Sequence, residues 1–171
     1  MRQSLILVGL ALVMAGLSWA VAQKESLLAN GERVYLELAP VDPRSLMQGD
    51  YMQLRYRLAG SVRDALVNKK QAGEVEMAGR LVLRLDTRGV ASFTRIDHGR
   101  RPLDDGEVLL RYKQRKSFQI GAGSFFFQEG TADIFDDAKY GELRVDAEGG
   151  AVLIGLRDAQ LQVLGADQRL H

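Results

Sequence analysis

The chain has 171 residues and a formal net charge of +1, with 46% hydrophobic and 26% charged residues. This composition predicts a folded chain with a sizeable core rather than a disordered one. The balanced charge argues against a nucleic-acid partner, whose binding surface would need an excess of basic residues. Because the chain has no cysteine, disulfides, thiolate catalysis and cysteine-ligated metals are excluded.

An uncharged apolar run at residues 5–22 opens the chain, and its length is at the threshold for a helix that crosses a bilayer. Arg2 precedes the run and the charges after it cancel, so the positive-inside rule places the N-terminus in the cytoplasm. A cleavable signal peptide is the alternative, since Ala20-Val21-Ala22 matches the small-residue cleavage pattern. The predicted organisation is a cytoplasmic N-terminus, a transmembrane anchor or signal peptide, a linker and an exported domain, at residues 1–4, 5–22, 23–32 and 33–171.

A polar turn that leads into an amphipathic strand organises the rest of the chain. Pro43 fixes φ and Gly49 has a permissive φ, so residues 41–50 predict a structured turn. After this turn, apolar and polar side chains alternate with the period of a strand. The predicted inward row is Met52, Leu54, Tyr56 and Leu58, and the predicted outward row is Tyr51, Gln53, Arg55 and Arg57.

Asp50 has the same parity as the inward row. An unpaired buried carboxylate is costly, so this side chain needs a partner. The backbone N–H groups of the turn and the guanidinium of Arg44 are the nearest candidates. We therefore predict a clasp between Arg44 and Asp50.

Beyond this strand, the pattern predicts a helix and a series of antiparallel strands. Ser61 and Asp64 have the spacing of a capping box, which predicts a helix over residues 62–71. A short second helix is predicted after Thr131 or Asp133 and includes Tyr140. Alternating apolar residues predict strands at 33–39, 80–86, 90–97, 107–113, 142–146, 151–156 and 160–164.

The apolar stretch at residues 117–128 contains the run Phe125-Phe126-Phe127. If this run is a strand, at least one ring must lie on the face away from the core, where it would mark a partner or membrane contact. Gly121 and Gly123 suggest a bulge or bend of the kind that closes a small barrel. The predicted fold is α+β and mostly antiparallel β: a small closed or partly closed barrel with one or two short helices, preceded by an N-terminal transmembrane helix.

Groups for catalysis are scarce. His98 lies in a predicted polar loop and His171 ends the chain, which argues against a histidine triad or a zinc site. The adjacent carboxylates of Asp104-Asp105 and Asp136-Asp137 point apart on a strand or helix. We therefore predict no catalytic residue, no metal and no cofactor.

The eight residues from Gly49 to Tyr56 resemble the signature of the GDYXXLXY family of bacterial membrane-anchored proteins. The resemblance extends to Asp42–Leu46, Phe126–Gly130 and Ala138–Val145. The family has no established activity, and its members look like companions of multi-pass membrane proteins. The resemblance therefore implies a non-enzymatic envelope accessory protein, whose partners are the bilayer and a multi-pass integral-membrane protein. The implied location is the bacterial inner membrane, with a single pass and the C-terminal domain in the periplasm.

Two interpretations of the signature remain open. In the structural one, Pro43 and Gly49 set the turn while Leu54 and Tyr56 belong to the core. In the binding one, the signature presents a surface that receives a partner's backbone or charged side chain. The predicted binding residues are Asp42, Arg44 and Asp50 in the turn, with Tyr51, Arg55 and Arg57 on the outer face.

Two alternative functions are also open. Leu46-x-x-Gly49-Asp50 is similar to the segment that follows the catalytic serine of signal peptidases, which would indicate a related hydrolase or a degenerate form of that fold. However, Val41 stands where the serine is expected and Thr94 where the general-base lysine is expected, so the nucleophile and base are missing. The other alternative is a small-ligand-binding periplasmic barrel, which would have a deep apolar pocket with a few convergent polar groups.

Overall fold

The computed structural model describes residues 2–39, 51–71, 78–99, 102–114 and 118–165. These residues form the α-helices α1 (Arg2–Asn30) and α2 (Leu58–Gln71) and a 3-10 helix (Ala132–Phe135). The strands are β1 (Glu32–Glu37), β2 (Tyr51–Gln53), β3 (Ala78–Leu85), β4 (Ala91–Asp97), β5 (Glu107–Gln114), β6 (Phe118–Ile120), β7 (Ser124–Phe126), β8 (Tyr140–Val145) and β9 (Ala151–Arg157).

The described strands form three antiparallel sheets, in the orders β1-β8-β9, β2-β7 and β4-β3-β5-β6. The Tyr35 N–H donates to the carbonyl of Gly89, and the Arg111 N–H donates to the carbonyl of Gly149, at 2.9 and 2.8 Å. Both acceptors lie in turns, where φ is positive at the glycine. These links, together with the isolated bridges of Tyr35 to Val90 and of Leu38 to Tyr56, do not extend into a ladder that joins one described sheet to the next. The prediction of a closed or partly closed barrel is therefore wrong.

The N-terminal helix α1 is continuous over 29 residues. The apolar residues 9–22 are followed in the same helix by the polar Gln23, Lys24 and Glu25. Among the residues that the structure describes, no helix is long and apolar enough to cross a membrane. The prediction of a transmembrane helix before the domain is therefore wrong.

One hydrophobic core connects the three sheets and α2. The alternation of the sequence predicts its members well, since Leu81 and Leu83 of β3 and Val108, Leu110 and Tyr112 of β5 are buried. The same alternation predicts the buried residues of the first sheet, which are Val34 and Leu36 of β1 and Leu143 and Val145 of β8.

Helix α2 starts earlier than the capping box predicts. It begins at Leu58, whose side chain is buried at the end of the inward row. The Tyr56 carbonyl accepts the Ala59 N–H at 3.0 Å. Ser61 therefore lies inside the helix rather than at its N-cap, because burial of Leu58 starts the helix one turn sooner.

The predicted second helix is reduced to a 3-10 turn. Thr131 precedes it without a side-chain capping bond, because its hydroxyl donates to the Gln128 carbonyl. Tyr140 instead begins β8, where it pairs with Glu37 and Arg157. The prediction that Tyr140 is helical is therefore wrong.

The predicted last strand, at residues 160–164, is also absent from the part of the chain that the structure covers. The Asp158 carboxylate accepts the backbone N–H groups of Gln160 and Gln162, at 2.9 and 2.8 Å. This arrangement forms a tight turn. Only an isolated bridge between Arg157 and Val163 follows it.

Candidate functional site

The signature strand has two distinct faces. On the inward face, Met52, Leu54, Tyr56 and Leu58 are all buried, as the alternation predicts. On the outward face, Gln53, Arg55 and Arg57 are exposed and Tyr51 is half-buried. Asp42, Pro43, Arg44, Gly49 and Asp50 lie outside the described residues. The clasp between Arg44 and Asp50, and the binding role of this turn, therefore stay predictions.

Tyr56 is the polar anchor of the inward row. Its hydroxyl donates to the carbonyl of Ala122 at 3.0 Å, and burial raises its pKa. A protonated phenol can keep donating this hydrogen bond, so the residue is suited to a structural role. The neighbouring Leu54 N–H donates to the carbonyl of Gly123 at 2.9 Å, which ties the signature strand to the segment that leads into β7.

The outward face of the two-stranded β2-β7 sheet carries an aromatic pair. Tyr51 lies opposite Phe126 in the strand register, and their ring centroids are 5.8 Å apart. The side chain of Phe126 is 74% exposed. The sequence-based expectation that one ring of the phenylalanine run faces away from the core is thus correct.

The other two phenylalanines hold this sheet in place. Phe125 packs edge-on against Phe135 with a centroid distance of 5.0 Å, and Phe127 lies 5.4 Å from the same ring. Phe135 is buried. Because the core side of β7 is fixed in this way, the exposed Phe126 ring is presented from a packed strand rather than from a free loop.

The predicted arginines of the outer face differ in their surroundings. Arg57 pairs with Glu37 at 2.7 Å, and both side chains are largely exposed. Arg55 is also exposed, and its backbone carbonyl accepts the Ala39 N–H at 2.7 Å. No ion pair to the Arg55 guanidinium is found within the described ranges, so its charge faces solvent.

The most exposed apolar surface lies on α1, within the segment predicted as the anchor. The large side chains between residues 10 and 21 are each at least 55% exposed: Leu10, Leu12, Val13, Met14, Leu17, Trp19 and Val21. They include three consecutive positions, so this surface surrounds the helix rather than forming a stripe.

Among the α1 side chains that the structure describes, only those of the last turns pack against the domain. Leu27 is buried, and the carbonyl of Gly31 accepts a hydrogen bond from the Arg144 guanidinium at 2.9 Å. A β-carbon at Gly31 would run into the carbonyl oxygen of Leu27 and would lie 3.2 Å from Cβ of Arg144. The end of α1 is therefore fitted closely to β8.

Two buried glutamates were not identified from the sequence. The side chain of Glu142 on β8 is only 3% exposed and pairs with Arg157 and Arg33, at 2.5 and 3.3 Å. It lies on the opposite face of the strand from Leu143 and Val145, where alternation predicts solvent. The signal missed is that β8 is the central strand of its sheet, so neighbours on both sides can cover this face.

The second glutamate, Glu107, starts β5. The Arg95 guanidinium donates to both of its carboxylate oxygens, at 2.9 and 2.8 Å, and the Asp104 N–H donates to one of them at 3.1 Å. These bonds, led by that from Arg95, lower the pKa of Glu107. Both glutamates are therefore fully partnered ion pairs, which suits them to holding strands together.

An open cleft of about 870 Å³ separates the end of α1 from the start of β5 and the β8-β9 turn. Its polar lining includes Lys24, Glu32 and Glu148, and its apolar lining includes Leu27 and Leu103. The cleft is wide and half open to solvent. The described residues form no closed barrel, so the barrel of the small-ligand alternative is wrong, while ligand binding itself stays untested.

For catalysis, the described parts of the chain contain no group of three or more histidines or carboxylates placed to hold a metal ion. Thr94, at the position of the lysine expected in a signal peptidase, lies exposed on β4. Val41 and Ser45 lie outside the described residues. The hydrolase alternative and the expectation that the protein is not an enzyme both stay untested.

Comparison with known proteins identifies a family and no individual relative. The family model described as GDYXXLXY protein matches residues 13–156. No curated protein and no solved structure matches the chain. The match covers the end of α1, the signature strand, both buried glutamates and most of β9.

Proposed function

The chain belongs to the GDYXXLXY family, and we propose that it is a non-enzymatic accessory protein of the bacterial cell envelope, which binds the membrane and an integral-membrane partner. The observation that carries this proposal is the apolar surface of α1, which is exposed around the whole helix between Leu10 and Val21. Exposed apolar surface of this extent is typical of a membrane or protein contact.

The geometry of the α1 junction supports a role in attachment. Leu27 and Gly31 connect the helix to β8, whereas the side chains of residues 9–22 are exposed and do not pack against the domain. Burial of a large apolar side chain is worth about 1.5 to 3 kcal/mol, so a few of the exposed residues suffice to hold the domain at a membrane. We propose that they contact the bilayer surface and the partner.

We further propose that the domain lies on the periplasmic side of the inner membrane. A chain without cysteine is compatible with such an oxidising compartment. Fusions of alkaline phosphatase and of a green fluorescent protein to the C-terminus test this location. Periplasmic placement gives phosphatase activity without fluorescence, and the reverse result contradicts it.

Vesicle flotation tests the membrane attachment. The full-length protein is mixed with vesicles of phosphatidylethanolamine and phosphatidylglycerol and centrifuged through a density gradient. We expect the wild type to float and the double variant Leu12→Glu, Leu17→Glu to remain at the bottom. The matched control carries Val67→Glu and Leu103→Glu, which change two exposed apolar residues of the domain and should float like the wild type.

The control separates a specific role of α1 from a general effect of added charge. If the α1 variant floats as well as the wild type, α1 is not the attachment element. If the control also fails to float, the attachment involves the domain surface. Circular dichroism shows whether each variant is folded. We expect both variants to fold, because all four substituted side chains are exposed.

A purification from native membranes in mild detergent tests the partner. We expect an integral-membrane protein to remain with the wild type through two purification steps. Recovery of the protein alone, under conditions in which known membrane complexes stay intact, would leave the accessory role without support.

A further inference from the structure

The inference concerns the outward face of the β2-β7 sheet, which we call the aromatic face and define as Tyr51, Gln53, Ser124 and Phe126, with Arg55 following in the same row. Tyr51 pairs with Phe126 and Gln53 pairs with Ser124 across the two strands. The two rings lie 5.8 Å apart. The face therefore offers an apolar patch with a cation at one end.

The apolar part of this face is costly to leave uncovered. Phe126 is the most exposed large apolar residue among those described, although Phe125 and Phe127 on either side of it pack against Phe135. A strand whose inner ring is fixed in the core cannot turn its outer ring inward, because successive side chains point to opposite faces. The Phe126 ring can therefore be covered only by another molecule or by another part of this chain.

The charged part of the face is selective. The Arg57 guanidinium is neutralised by Glu37 at 2.7 Å, whereas no described carboxylate pairs with Arg55. A guanidinium presents a planar set of donors that matches a carboxylate in a two-point hydrogen bond. The row therefore combines a surface for an apolar side chain with a binding group for an acidic one.

The signature segment meets β1 at the end of that strand that is farther from α1. Gly31 separates α1 from Glu32, and β1 then runs away from α1 toward Leu38, which bridges to Tyr56 of the signature segment. The strand spans roughly 17 Å at about 3.3 Å per residue. With α1 at the membrane, this end of the domain is turned toward the aqueous compartment.

We propose that the aromatic face binds an extended, acidic and apolar segment from the water-exposed part of the membrane partner. An apolar side chain of that segment covers the Phe126 ring, and a carboxylate pairs with Arg55. An extended segment fits because its alternate side chains point to one side with the same repeat as the row they meet. This inference rests on the proposed accessory function, since it names the chemistry of the partner.

The test uses the full-length protein in detergent and two fluorescent hexapeptides, whose residues 1 and 5 point to the same side in an extended chain. The acidic probe has phenylalanine at position 1, glutamate at position 5 and serine elsewhere, and the basic probe replaces the glutamate by lysine. We expect the acidic probe to bind the wild type with a Kd at least about tenfold lower than the basic probe, which corresponds to about 1.4 kcal/mol. We expect Phe126→Ser and Arg55→Glu each to weaken the acidic probe about tenfold or more.

Matched controls change exposed residues of the same kinds elsewhere. Ile134→Ser removes an exposed apolar side chain next to the same core, and Arg63→Glu reverses an exposed arginine on α2. Both should keep the wild-type Kd within about twofold, a difference below about 0.5 kcal/mol. Arg55→Glu should in addition bind the basic probe better than the wild type does.

Three results would overturn the inference: no binding of the acidic probe, equal binding of both probes, or equal losses in the test and control variants. Since no bilayer is present, the outcome is independent of the flotation experiment. Failure of the wild type to float, with intact probe binding, would contradict the membrane role of α1 alone. Normal flotation without probe binding would contradict the aromatic face as the binding surface.

Discussion

The ring of Tyr56 packs directly against Gly141. A β-carbon at position 141 would lie 3.2 Å from Cε1 of Tyr56 and 3.3 Å from Cδ1 of Leu153. The ring cannot easily move away, because its hydroxyl bonds to the Ala122 carbonyl at 3.0 Å. This contact joins the signature strand to β8, so two segments far apart in the sequence depend on each other in the core.

We expect Gly141→Ala to lower the free energy of unfolding by about 1 to 3 kcal/mol, since an added methyl in a tight core forces its neighbours apart. Urea unfolding of the purified protein measures this change. Gly123→Ala is the control, because nothing lies within 4 Å of its added β-carbon. Equal effects of the two substitutions on the free energy of unfolding would show that the contact with Tyr56 is not the cause of the loss of stability.

The two arginines that bind Glu142 should differ in their contributions. Glu142→Ala leaves Arg157, whose side chain is 13% exposed, without its carboxylate, and breaking a buried pair in this way costs about 3 to 5 kcal/mol. Arg33→Ala should cost less than about 1 kcal/mol, because its side chain is largely exposed and solvent screens the pair. Chemical denaturation of both variants tests the order, and a larger loss for Arg33→Ala would contradict it.

Glu107 should make the protein sensitive to acid. Hydrogen bonds, mainly from Arg95, hold its pKa below the ordinary value of 4.5, so the unfolded chain binds its proton at a higher pH than the folded chain does. The stabilisation is therefore complete above the unfolded pKa and is lost as the pH falls through the folded pKa.

In the variant Glu107→Gln, residue 107 cannot titrate. We expect this variant to have a lower Tm than the wild type at neutral pH. Between about pH 6 and about pH 3, its Tm should fall by less than the Tm of the wild type does. Thermal unfolding across this range measures both slopes. Asp105→Asn removes an exposed carboxylate nearby and corrects for the change in net charge. Parallel slopes for the wild type and Glu107→Gln would refute this assignment.

Gly31→Ala should loosen the junction between α1 and the domain. The added methyl collides with the Leu27 carbonyl, so the last turn of α1 has to shift away from β8. Because the chain has no cysteine, spin labels at Ser26→Cys and Glu148→Cys report the width of the cleft without further changes. We expect a broader distance distribution in Gly31→Ala, and an unchanged one would mean that the junction tolerates the methyl.

Gly60→Ala should stabilise the folded protein, in contrast to Gly141→Ala. Gly60 lies in α2 with nothing within 4 Å of an added β-carbon, so alanine relieves the entropic cost of a helical glycine. We expect the free energy of unfolding to rise by about 0.5 to 1 kcal/mol, as measured in urea. A loss of stability would indicate that this turn of α2 needs the freedom of glycine.

The sequence by itself determined the faces of the strands. Side chains alternate along a strand for purely local steric reasons, so the buried row of Met52, Leu54 and Tyr56 and the outward ring of Phe126 could be predicted without knowing the neighbours. Turns were equally local, since Gly89 and Gly149 adopt the positive φ that glycine favours. The antiparallel, β-rich class followed from these two kinds of pattern.

Only the tertiary structure decided what covers each face and where the sheets end. Glu142 has the parity of a solvent-facing residue, yet Arg33 and Arg157 from two other strands enclose it. Helix α2 starts at Leu58 because the core receives that side chain, which outweighs the local capping signal of Ser61. The sheets stay separate because β1 meets a turn at Gly89 and β5 meets a turn at Gly149, and neither contact extends into a ladder. Each of these outcomes depends on contacts between distant residues, which local periodicity does not specify.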